Sequence, residues 1–167
     1  MDTYDYLHTT AEIGAALAGF SALIVAISTR GDSSPDMMFR RLVATIVERG
    51  LLSVFFSLLP FLLLGFEIAD DFVWRICSGI FVIYAIALTV RSFVAYRMFP
   101  QLSGLLGKGV FLLTMILALI VICLQCANVL GFGASQSAWW YVIGLTWLLL
   151  TASYMFFLSV RYWAREI

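Results

Sequence analysis

Apolar residues run along this chain in five long, nearly continuous blocks instead of alternating with polar ones. The blocks cover about residues 11–28, 50–66, 72–90, 110–130 and 138–160, and the second has a helical lead-in from Met37. A hydrocarbon core about 30 Å thick takes roughly 20 residues of helix to cross. Helices are expected and strands are not, because within hydrocarbon every backbone donor must be satisfied inside its own segment. Breaker residues mark the joints: Gly31 and Pro35, then Asp70-Asp71, then Pro100 with Gly104 and Gly107, then Gly131-Phe132-Gly133. The pattern predicts an all-α, polytopic transmembrane helical bundle of about five spans, with residues 1–167 forming one domain.

Composition agrees with that reading. Hydrophobic residues make up 63% of the 167 and charged residues only 12%, against roughly 25% charged in an ordinary soluble domain. A soluble fold of this size buries only about 70% of the surface its unfolded chain exposes, too little to hide so much apolar area. The formal net charge is zero, so the overall balance points to no nucleic acid and no acidic partner.

The placement of the charges carries more information than their sum. Arg30, Arg40 and Arg41 lie in the first joint, Arg91, Arg97 and Lys108 flank the third, and Arg161 and Arg165 follow the last block. Asp2 and Asp5 precede the first block, and Glu67, Asp70 and Asp71 occupy the second joint. The positive-inside rule then expects the N-terminus outside and the C-terminus in the cytoplasm, in a cell membrane of the bacterial inner-membrane kind. Aromatic residues support the two interfaces: Trp74, Trp139, Trp140 and Tyr141 at the outer one, Tyr96, Phe99, Tyr162 and Trp163 at the inner one. Trp147 falls mid-block and is expected to pack against protein. The first block loosely resembles a signal peptide at Ala26-Ile27-Ser28, but its leading tail is acidic where a signal peptide is basic, so a retained helix is expected.

Charged groups at the centre of a bilayer cost about 2.5–3.5 kcal/mol each on insertion scales, so each one inside a block needs a reason. Glu12 lies near the outer end of the first block with His8 one turn earlier, and Arg75 lies at similar depth on the third. The plain expectation is an ion pair between Glu12 and Arg75, or snorkelling of these groups to the headgroups. The functional one is a ring of Glu12 carboxylates, repeated around an oligomer axis, at an external pore mouth; such rings select cations. On the second block Arg41, Thr45, Arg49, Ser53 and Ser57 recur every fourth residue beside Glu48, with Arg91 expected at matching depth. This ridge either pairs Glu48 with Arg91 and glues helices through its hydroxyls, or lines a cytoplasmic vestibule. Gln125 and Asn128 are expected to bond across the bundle, or, less simply, to line a pathway with Glu12.

The first block also carries two small-residue ridges, Gly14, Ala18, Ala22 and Ala26, and beside them Ala11, Ala15 and Gly19. Small residues at this spacing let helix backbones approach closely, whether the partner helix belongs to the same chain or to another subunit.

Catalytic signatures are missing from the sequence. Cys77, Cys123 and Cys126 include a Cys-Leu-Gln-Cys run, but it lies within an apolar block and reads as core cysteine, not as a redox pair. His8 is the one histidine, which disfavours a His-rich metal site. No phosphate loop or nucleophile elbow occurs, and the basic residues leave no nucleic-acid footprint. No cofactor is expected, and the chain does not read as an enzyme. The expectation is a homo-oligomeric ion channel or pore. The alternatives are an accessory subunit bound to another membrane protein, and a small transporter, which five helices cannot build from two equal inverted halves. Membrane lipids are partners in each case.

Overall fold

The computed structural model describes residues 3–28, 37–66, 68–98, 107–132 and 137–163. It is all-α, with helices α1 (Thr3–Ser28), α2 (Met37–Leu64), α3 (Asp70–Met98), α4 (Lys108–Val129) and α5 (Ser137–Trp163). All five are long and apolar enough to cross a membrane, which supports a multi-pass membrane protein. Asp2, Arg30, Glu67 and Arg165, with Gly31, Pro35, Phe99, Pro100, Gly104 and Gly133, lie outside the described residues, as do the side chains of Tyr162 and Trp163.

Helix α1 starts about two turns earlier than hydropathy suggests. Its polar and aromatic first residues contain no breaker, and they are needed by the core. Leu7 is fully buried, Tyr4 packs on Phe61 and Trp74, and the Tyr6 hydroxyl lies 2.8 Å from Thr146 Oγ1. Helix α2 runs without a break through its lead-in and through Pro60. Helix α4 opens at Gly107, which has φ +70°, and ends in a Schellman turn. There Phe132 N–H donates to the Ala127 carbonyl and Gly131 N–H to that of Asn128, with Gly131 at φ +82°.

α5 is the hub, packing against all four other helices. α1 lies against α2 and α5, and α4 against α3 and α5, so α1 and α4 flank opposite sides. The core is aromatic: Phe56 meets Phe81 edge-on at 5.0 Å, and Phe81 and Trp74 both meet Tyr141, which is fully buried. The tightest crossing joins α1 to α2. A Cβ on Gly14 would fall 2.7 Å from the Gly50 carbonyl, and one on Gly50 would fall 2.6 Å from the Gly14 carbonyl, so the two backbones touch where both side chains are absent.

Arg40, Arg41, Arg91, Arg97, Lys108 and Arg161 gather at one end of the bundle, formed by the starts of α2 and α4 and the ends of α3 and α5. Asp5, Asp70 and Asp71 belong to the other end, where Tyr4, Phe61 and Trp74 meet. These are the basic and acidic ends below.

Candidate functional site

Two regions hold several of the polar residues singled out from the sequence. The first is the outward face of α1. His8, Glu12, Ala15, Gly19, Ala22 and Ala26 are all exposed, and their three- and four-residue spacing puts them on one stripe. The His8 ring also touches Phe61. Around Gly19 a Cβ would meet nothing within 4 Å. Opposite this stripe, Leu7, Thr10, Gly14, Ala18 and Ser21 form the buried face. The small residues of α1 therefore divide between two faces: Gly14 and Ala18 pack against α2, while Ala22, Ala26 and Gly19 look away from the bundle.

The expected pairing of Glu12 with Arg75 does not form. α1 makes no substantial contact with α3, so the two residues are on separated helices. Arg75 lies instead over the Phe72 ring, 5.7 Å from its centroid, with its guanidinium against Gly131 at the α4 turn. Gln125 and Asn128 do not approach Glu12 either, because α4 is on the far side of α5. Both are buried and bonded within the chain: Gln125 Nε2 donates to the Trp140 carbonyl at 2.6 Å, and Asn128 Nδ2 to Ser78 Oγ at 2.8 Å. Gly144 makes room for Gln125, since a Cβ there would fall 2.7 Å from its amide nitrogen.

The second region is a cavity of about 200 Å³ between α2, α3, α4 and α5 in the basic half of the bundle. Arg41, Thr45, Glu48 and Arg49 of α2 line it together with Arg91 of α3. Arg91 grips Glu48 with both nitrogens of its fork, Nη1 to Oε1 at 2.6 Å and Nη2 to Oε2 at 3.2 Å. The Arg91 side chain is 68% exposed, which places this pair on the rim. Arg49 is only 5% exposed, and its buried Nε has no partner.

The every-fourth-residue ridge of α2 is divided as well. Its first half faces the cavity, but Ser53 and Ser57 do not; both are fully buried, and Ser53 sits against Gly14 of α1. A row at four-residue spacing slants around the helix, so it passes from one neighbour to the next as it climbs.

Several lining residues were not assigned to a cavity by the sequence. They are Thr89 and Ser92 of α3, Thr114 of α4, and Trp147, Thr151 and Tyr154 of α5. The last three share one helical face, the signal that could have found them. Trp147 does pack against protein, and its indole Nε1 is buried with no partner. Thr45, Thr89, Thr114 and Thr151 each give their hydroxyl hydrogen to a carbonyl of their own helix.

No known family, curated protein or solved structure matches this chain.

Proposed function

We propose that this chain is a multi-pass membrane protein whose copies assemble into a cation-conducting oligomer, with the stripe of α1 lining the axis. The basic end lies in the cytoplasm, following the positive-inside rule, and Glu12 of each copy contributes to a carboxylate ring near the outer mouth.

One observation carries this reading: Glu12 sits beside His8 on an outward face whose other residues, Ala15, Gly19, Ala22 and Ala26, are small. The outward faces of α3 and α4 are different. They present Ile76, Ile80, Ile83 and Ile86, and Leu112, Leu113, Ile116 and Ile120, the bulky aliphatic coat suited to lipid. A carboxylate on a face turned to hydrocarbon would be strongly disfavoured, whereas the same group on a water-filled axis keeps its hydration. Small side chains beside it leave room for that water. The adjoining flank of α1, with Ile13, Phe20 and Leu23 exposed, supplies apolar surface for a neighbouring copy. Cyclic symmetry is the common way such contacts close.

The decisive test is subunit stoichiometry in detergent, by native mass spectrometry or light scattering, followed by planar-bilayer recording of the wild type and Glu12→Gln. A symmetric oligomer with cation-selective current that Glu12→Gln weakens is the expected result. A monomer, or currents identical in both proteins, would overturn the ring and leave the α1 stripe as a docking face of an accessory subunit.

A further inference from the structure

We infer that the cavity at the basic end is a binding site for an oxyanion of the phosphate class, held by Arg49. Three observations lead there, none of them involving Glu12 or the α1 stripe. First, Arg49 and Arg91 both line the walls with Glu48. Arg91 satisfies Glu48 with both fork nitrogens, which leaves that carboxylate committed at the rim and Arg49 deeper in. Second, Arg49 makes no hydrogen bond or ion pair among the described residues, although it is 5% exposed. A buried cation that makes no hydrogen bond or ion pair is unfavourable, and an incoming anion that bonds to it offsets that penalty. Third, two buried donors on the cavity-lining residues are unpartnered. Arg49 Nε and Trp147 Nε1 are both buried without partners, and guanidinium and indole N–H groups can only donate. The neighbouring threonines give their hydrogens to their own helices and keep acceptor lone pairs, but neither nitrogen is bonded to one. What these two nitrogens lack is therefore an acceptor, and oxygens bearing negative charge are the acceptors that an arginine fork fits best.

The same chemistry reaches this position from two sources, the headgroup phosphate of an anionic phospholipid or free phosphate from the aqueous phase. The apolar part of the wall, including Leu42, Leu88, Phe111 and Met155, offers contact to the glycerol and first acyl carbons of a lipid.

The purified full-length protein separates these cases by thermal unfolding and native mass spectrometry. Three preparations are compared: nanodiscs of phosphatidylcholine, nanodiscs containing phosphatidylglycerol, and phosphatidylcholine nanodiscs with added inorganic phosphate. Phosphatidylglycerol is expected to raise the midpoint and remain bound in the mass spectrum. Arg49→Met, which keeps an unbranched apolar stem, is expected to weaken that binding by roughly tenfold or more, as for loss of a charged hydrogen bond. It should also unfold at a higher temperature than wild type in phosphatidylcholine alone, since it removes an unpaired buried charge. Stabilisation by inorganic phosphate that Arg49→Met abolishes would assign the site to the free anion. No stabilisation by either, or stabilisation that Arg49→Met leaves intact, would overturn the proposal. Trp147→Phe, which removes one donor and keeps an aromatic ring, gives a second reading should Arg49→Met fail to fold: unchanged phosphatidylglycerol binding in that variant would count against the site.

Discussion

The hydroxyl of Tyr141 on α5 donates to the backbone carbonyl of Phe56 on α2 at a distance of 2.6 Å. That carbonyl would ordinarily accept from the N–H of the residue four positions on, which here is Pro60. Proline has no N–H to give. A side chain from another helix takes over the bond, so α2 crosses the core with its backbone satisfied and is tied to α5 at the same point.

Tyr141→Phe should therefore cost about 1–3 kcal/mol, because it leaves a buried carbonyl without a partner. Pro60→Ala restores the helical donor, so in that background the loss on Tyr141→Phe should shrink by at least about 0.5 kcal/mol, a measurable coupling. Thermal or denaturant unfolding of the four proteins in detergent checks this. Strictly additive effects would mean that the two residues act independently.

The two glycine environments of α1 predict opposite outcomes. Gly14→Val and Gly50→Ala should each destabilise the bundle by about 1–3 kcal/mol, because the added carbons meet backbone of the facing helix. Gly19→Leu meets open space and should not lower the unfolding midpoint of the monomeric form, since leucine also favours a helix interior over glycine. It should, however, shift the oligomer distribution seen by native mass spectrometry, because position 19 is on the proposed axis.

Glu12→Gln should change monomer stability by no more than about 0.5 kcal/mol, as expected of a surface substitution away from any buried network. A larger loss of stability would reveal a partner for this carboxylate and remove the reason to place it on an axis.

In a background lacking Cys77, Cys123 and Cys126, Thr45→Cys should react with charged thiol reagents and Ser57→Cys should not. Thr45 lines the cavity, whereas Ser57 is fully buried. Equal labelling at both positions would contradict the division of the α2 ridge between the cavity and α1.

The rim pair should be weakly stabilising on its own. Arg91 is largely exposed, so Glu48→Gln should lower stability by about 1 kcal/mol or less, and by less still at high salt. A Glu48→Arg, Arg91→Glu exchange should recover the loss, and unfolding midpoints at low and high salt would show it.

Hydropathy by itself determined the number and rough extent of the helices, because every stretch of this length and apolarity must satisfy its own backbone. It also picked out the charged residues that line the cavity at the basic end, since Arg41, Glu48, Arg49 and Arg91 are costly wherever the helices place them. The start of α1 was less legible: Tyr4, Tyr6 and Leu7 belong to the helix through their contacts with Phe61, Trp74 and Thr146, and composition cannot show a contact. Only the tertiary structure decided which face of each helix looks inward. In a water-soluble helix a polar stripe marks the outside, but these helices are apolar on nearly every side, so sequence spacing leaves several equivalent choices. Packing chose among them. It turned Gly14 toward Gly50 and Gly19 away, buried Gln125 beside Trp140, kept Arg75 apart from Glu12, and gathered Arg49 and Trp147 at one cavity from helices nearly one hundred residues apart.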